Sequence, residues 1–229
     1  MKQFHRFYRE NFGTYTESDK PVFRTVNVHA HNGCNLACKG CNHNSSVLAP
    51  GSGILVDQLL DDLDSILPRI HIWSHISLLG GEPLLEPRCE EILTKIEDLV
   101  DCRIKMFSNA LLLHKNHDWI IEHMKRGTIL RLSMHVSPVS KLGKQNYKNV
   151  VDFIEYAEDK VDLDSSLEIS EPWDEKWFDM LRWEDNKFHP YEDNDIESSW
   201  SHCSCPQMQI YNGYLWKCAS IAYLRETLG

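Results

Sequence analysis

The chain has 229 residues, 42% of them hydrophobic and 25% charged, with eight cysteines and a formal net charge of −10. That length buries an ordinary core without disulfide staples, and the acidic balance argues against a broad basic face for nucleic acid. Residues 1–20 lack a secretory apolar segment and no apolar run is long enough to span a bilayer, so the expected compartment is a reducing cytoplasm, where clustered cysteines read as metal or redox sites.

Residues 1–21 read as an N-terminal extension. In "VFRTVNVHA" (22–30), Val26 and Val28 share one face of a strand. A loop with Cys34, Cys38 and Cys41 follows, and His29 and His31 precede it. Leu55, Leu59, Leu63 and Ile66 recur at helical spacing, and Pro68 stops that helix. "HISLLGG" (75–81) is a buried strand ending in glycines. A helix over 88–100 points Ile92, Ile96 and Leu99 inward. A strand over 103–109 and a short helix over 117–127, closed by Gly127, come next. "TILRLSMHV" (128–136) alternates as a strand, a helix covers 147–157, and "SLEIS" (166–170) is a fifth strand.

Strand followed by helix, repeated, argues for parallel βαβ units and an α/β fold. Residues 22–170 fall short of the roughly 250 that a closed eight-fold barrel takes, so a barrel here is partial, with about five or six βα units. Ligands gather at the carboxyl ends of such strands. Residues 171–200 form an acidic linker or helix containing Trp173, Trp177, Trp183 and Trp200, and 201–229 a separate cysteine-bearing tail.

Three thiols at C-x3-C-x2-C spacing suit zinc, completed by His43 or a distant cysteine, or an iron–sulfur cluster. A four-iron cluster held by three cysteines leaves one iron open to another ligand.

The C-x3-C-x2-C loop after a first strand, followed by Gly80-Gly81-Glu82-Pro83 ending a second, resembles the radical S-adenosylmethionine (SAM) superfamily over roughly residues 22–170. The resemblance implies that Cys34, Cys38 and Cys41 hold a 4Fe–4S cluster whose open iron chelates the amino and carboxylate groups of SAM. It places Gly80, Gly81, Glu82 and Pro83 beside the SAM amino group, where a carboxylate neutralises an ammonium. It also implies one-electron cleavage of SAM to a 5′-deoxyadenosyl radical that takes hydrogen from a substrate. The family's usual aromatic residue before the third cysteine is Gly40 here, which turns attention to Asn42 and His43 for the adenine. Ser108, Asn109, Ser133 and His135 complete the expected SAM contacts.

In the tail, Asn212-Gly213 between "QMQIY" and "YLWKC" signals a hairpin that folds Cys218 back toward Cys203 and Cys205. This resembles the SPASM and twitch auxiliary-cluster tails and implies a second 4Fe–4S cluster on those three cysteines. Cys89 and Cys102 read as ordinary buried cysteines. The expected function is radical modification of a peptide or protein side chain, with C–S bond formation such as methylthiolation one form of it. A basic peptide suits the acidic chain, with flavodoxin or ferredoxin as electron donor and no nucleic acid or membrane partner. The alternatives are a radical SAM enzyme acting on a small molecule or nucleotide, and a non-catalytic metal-stapled binding protein.

Overall fold

Alternation along the strands divides the molecule into a helix-covered face and a cavity face. The computed structural model describes residues 20–38, 40–45, 48, 54–170, 182–184, 187–189, 192, 194–202 and 207–224. The first half of the chain runs β1 (Val22–His29), α1 (Val56–Ile66), β2 (His71–Leu79), α2 (Cys89–Leu99), β3 (Arg103–Ser108), α3 (His117–Lys125) and β4 (Ile129–Ser133). It continues through α4 (Lys141–Ala157), a single helical turn α5 (Leu163–Ser166) and β5 (Leu167–Ser170). Strands β1 to β5 pair in chain order, all parallel, the α/β arrangement that strand–helix alternation predicts.

On one face Val26, Val28, Ile76, Leu78, Leu130 and Leu132 are fully buried against the helices. Leu63, Ile92, Ile96 and Phe153 join them in one core. Each such side chain contributes about 1.5–3 kcal/mol by leaving water. The alternate residues of the same strands, among them Asn27, Ser77, Phe107 and Ser133, face the cavity described below.

Three local expectations change. Leu55 stands 76% exposed as the N-cap of α1, because its extended backbone precedes the helix, and Val56 takes the inward position. Helix α4 starts earlier than 147, at Lys141, because the Ser140 side chain accepts from Gly143 N and caps it. Part of the expected 171–200 linker forms an antiparallel pair, β6 (Arg182–Glu184) with β7 (Lys187–His189), ahead of helix α6 (Ile196–His202). Trp173 and Trp177 lie outside the described residues.

The predicted hairpin is present as β8 (Gln207–Tyr211) and β9 (Tyr214–Trp216), followed by α7 (Ala219–Ala222). Asn212 and Gly213 carry φ values of 49° and 77°, the doubly left-handed turn that favours Asn-Gly. Gly213 N donates to Asp62 Oδ2 of α1 at 2.7 Å. The hairpin belongs to the main sheet: β8 runs parallel to β1 and hydrogen-bonds to it, giving the order β5-β4-β3-β2-β1-β8-β9. No helix among the described residues is long and apolar enough to cross a membrane.

Candidate active site

A cavity of about 240 Å³ opens at the carboxyl ends of β1 to β4. Its wall contains Cys34, Cys38, Cys41 and His43 from the first loop and Gly80, Gly81, Glu82 and Pro83 from the second. Ser108 and Asn109 at the end of β3, and Ser133 and His135 at the end of β4, complete it. Residues from four separate segments thus converge where a parallel sheet places its ligands.

The Gly80-Gly81 step lets two backbones touch. Gly81 N donates to His31 O at 2.7 Å, and Glu82 N donates to Gly33 O at 2.9 Å. A Cβ on Gly81 would lie 1.9 Å from the Gly33 carbonyl oxygen, and Gly80 has φ of +143°. The glycines therefore staple the second loop to the segment leading into Cys34. Gly40 has φ of +70°, a left-handed backbone that an aromatic side chain would strain.

Glu82 is 1% exposed. Its carboxylate accepts from Leu84 N at 3.2 Å, Ser108 Oγ at 2.9 Å and Asn109 N at 2.8 Å. Burial pushes its pKa up to about 7, and the three donors limit the rise. Ser108 and Asn109 are thus the clamp on this carboxylate. Asn109 Nδ2 also donates to Asn35 Oδ1 at 2.6 Å and approaches Cys34 Sγ at 3.6 Å, joining the third strand to the cysteine loop.

Burial raises the Cys34 thiol, with Glu82 and Cys41 adding, and takes Cys38 to about 11, with Cys41 and Cys34 adding. Metal binding must displace those protons. Leu36 N approaches Cys34 Sγ at 3.4 Å, a second N–H on that sulfur. Among the described residues no three Cys, His, Asp or Glu side chains converge as ligands of a single ion. A four-iron cube places each thiolate on a different corner, and three cysteines on one cavity wall with N–H donors aimed at a sulfur fit that donor set. His43 fits a ligand too: its ring is neutral, held to about 4 by burial, and its Nε2 is buried with no partner among the described residues.

Several lining residues escape the motifs: Asn27, Ser77, Phe107 and Gln207. Their signal is the alternation itself, since Asn27 sits between Val26 and Val28 and must face the other way. A second omission is Tyr223, whose hydroxyl pairs with His29 Nδ1 and whose ring lies 5.7 Å from that of His43. The segment after Cys218 therefore packs directly behind the first cysteine loop. Cys218 precedes α7 and is partly buried, while Cys203 and Cys205 lie outside the described residues. Cys89 is buried and Cys102 partly so.

Residues 28–167 match the family described as the Radical SAM superfamily. No curated protein matches the sequence. Among solved structures the chain is similar to BtrN in complex with AdoMet and 2-DOIA, at 16% identity and TM-score 0.45, covering 69% of this chain and 60% of that one. It is similar to native anSMEcpe with bound AdoMet at 19% identity and TM-score 0.48, covering 65% and 43%. For Streptococcus suis SuiB bound to precursor peptide SuiA the values are 12% identity and TM-score 0.44, covering 97% and 72%. The chain thus spans less than two thirds of the length of the first two.

Proposed function

Since the chain belongs to the radical SAM superfamily, which it matches over residues 28–167, we propose that it cleaves SAM reductively and removes hydrogen from a peptide or protein side chain. One observation carries the reading: the three cysteines, the Gly80–Pro83 turn, and the polar ends of β3 and β4 line a single cavity. The family implies a 4Fe–4S cluster and SAM, which together supply the one-electron cleavage and the 5′-deoxyadenosyl radical.

The chain's own residues bind and orient. Cys34, Cys38 and Cys41 would hold the cluster, with N–H donors from Leu36 and Asn109 favouring the thiolate of Cys34. Glu82, fixed by Ser108 and Asn109, presents a buried carboxylate to the SAM ammonium. Neutral His43 offers Nε2 to the adenine. Ser133 and His135 border the ribose side. The carbonyl-to-amide contacts between 31–33 and 81–82 keep the two loops in register.

A second 4Fe–4S cluster on Cys203, Cys205 and Cys218 belongs to the same proposal, as do a flavodoxin or ferredoxin donor and a cytoplasmic setting. The hairpin supports it, because its return strand carries Cys218 back toward the start of β8, two residues beyond Cys205. Sulfur transfer such as methylthiolation is the form that an open iron on the second cluster would serve.

Anaerobic reconstitution tests this. Two clusters give about eight irons per chain, falling to about four in Cys218→Ala. Dithionite and SAM should yield 5′-deoxyadenosine, and Cys34→Ala should abolish it. Colourless protein with bound zinc and no iron overturns the reading.

A further inference from the structure

Among the described residues, the cavity-facing positions of β3 and β4 carry charge opposite to that of the chain. Net charge is −10 overall. Yet beside Phe107 and Ser133, which line the cavity, stand Lys105 and Arg131 on the same face of β3 and β4. They share one carboxylate: Lys105 Nζ lies 2.5 Å from Glu168 Oε1, and Arg131 Nη1 lies 3.0 Å from Glu168 Oε2. Among the described residues, two cations against one anion leave a surplus positive charge. Lysine and arginine each carry several N–H donors, and only one on each is engaged by Glu168.

Solvent does not fully absorb that surplus. The Lys105 side chain is only 16% exposed, and Arg131 37%. The Arg131 guanidinium lies 5.5 Å from the centre of the ring of Phe107, a cavity-lining residue. The field reaches β2: His75 is held below its ordinary value first by burial and then by Lys105, with Arg131 and Arg24 adding and Glu168 opposing. A half-buried, donor-rich, net-positive face next to a reaction cavity is suited to a planar or tetrahedral oxyanion.

We propose that Lys105 and Arg131 receive a carboxylate or phosphate group of the substrate and thereby place its reacting carbon against the SAM cavity. This rests on the catalytic reading above and narrows it. The segment entering the cavity is anionic, whatever the charge of the rest of the partner, so an Asp, Glu, chain-terminal carboxylate or phosphoryl group flanks the modified position. Glu168 acts as a placeholder that holds the two cations in position and yields one side of each to the ligand.

The test uses the reconstituted, SAM-loaded chain and three probes: N-acetylglutamate amide, its neutral counterpart N-acetylglutamine amide, and inorganic phosphate. Calorimetry should show binding of the two anions and none of the neutral amide. The tighter of the two identifies the source as carboxylate or phosphate. Lys105→Gln and Arg131→Gln should each weaken anion binding about tenfold, the scale of one charge-assisted hydrogen bond. Glu168→Gln should act with the opposite sign and tighten it several-fold, which a purely structural role for the trio does not produce. The His75 ring resonance should titrate at higher pH once an anion is bound, because the cationic field on it is neutralised. Equal binding of the neutral amide, or loss of affinity in Glu168→Gln, overturns the proposal. So does a loss of SAM affinity as large as the loss for the anions, which would assign the pair to the SAM carboxylate. If the wild type binds the anions but forms no 5′-deoxyadenosine, the anion site stands and the catalytic reading falls.

Discussion

Replacing Glu82 by Gln isolates the energetic cost of a buried carboxylate. Burial raises the folded-state pKa from an ordinary 4.5 to about 7. The folded state therefore prefers the protonated form. Its contribution to stability is complete below pH 4.5 and is lost as pH climbs to about 7. At about 1.4 kcal/mol per pKa unit, that interval corresponds to about 3 kcal/mol. Urea unfolding of wild type and Glu82→Gln across pH 4.5–8, without SAM, measures it. The wild-type stability should fall by about 3 kcal/mol relative to the variant over that range. The other titrating groups cancel in the comparison. The proposed binding of the SAM ammonium by Glu82 would reverse the preference, because it favours the ionised form. Affinity for SAM should rise with pH below about 7, by up to about tenfold per unit, then level off, and the variant should show no such rise. Parallel stability profiles for the two proteins would refute the assignment of a raised pKa to this carboxylate.

Gly81→Ala places a methyl group 1.9 Å from the Gly33 carbonyl oxygen. The two loops must separate, with a loss of about 2–4 kcal/mol in thermal unfolding and lower iron retention. Gly213→Ala has room, its Cβ meeting Asp62 Oδ1 only at 3.6 Å. Only backbone strain is added there, and the loss should be about 1–2 kcal/mol with iron retained. Phe153→Ala empties a fully buried position in the core. Urea unfolding should show a cost of about 3–5 kcal/mol. Tyr223→Phe removes the hydroxyl paired with His29 Nδ1, whose Nε2 already has no partner among the described residues. A loss of about 1–3 kcal/mol in unfolding, and faster hydrogen exchange in the loop around His43, should follow.

The parallel sheet was legible because buried apolar residues alternate along its strands and helical spacing separates them. Val26, Val28, Leu130 and Leu132 announced their strands by themselves. The first cavity was legible through two compact motifs, each within one loop. What spacing does not encode is the side-chain chemistry between loops. Ser108 and Asn109 are expected as SAM contacts, but that they clamp Glu82 from 26 and 27 positions away is not encoded in any spacing. The same holds for Lys105, Arg131 and Glu168, which alternate unremarkably on separate strands and meet only through sheet register. Gly40 read as a departure from a pattern, whereas its positive φ gives it a backbone reason. The place of the hairpin was also hidden, since a strong Asn-Gly turn fixes the pairing of β8 with β9 but says nothing about which edge of the sheet β8 will join.

That edge sets a schedule for biosynthesis. Strand β1 needs β8 as its second neighbour, and Asn27 donates to Gln207 across 180 positions of chain. At ribosomal rates of about 5–20 residues per second, roughly 10–40 s separate the emergence of the first of these from the second. Throughout that interval β1 has one open edge, Tyr223 has not reached His29, and the loop carrying Cys34, Cys38 and Cys41 lacks its rear support. The three thiols therefore precede their completed cavity on the nascent chain, and durable insertion of the proposed cluster is expected to follow translation of the tail.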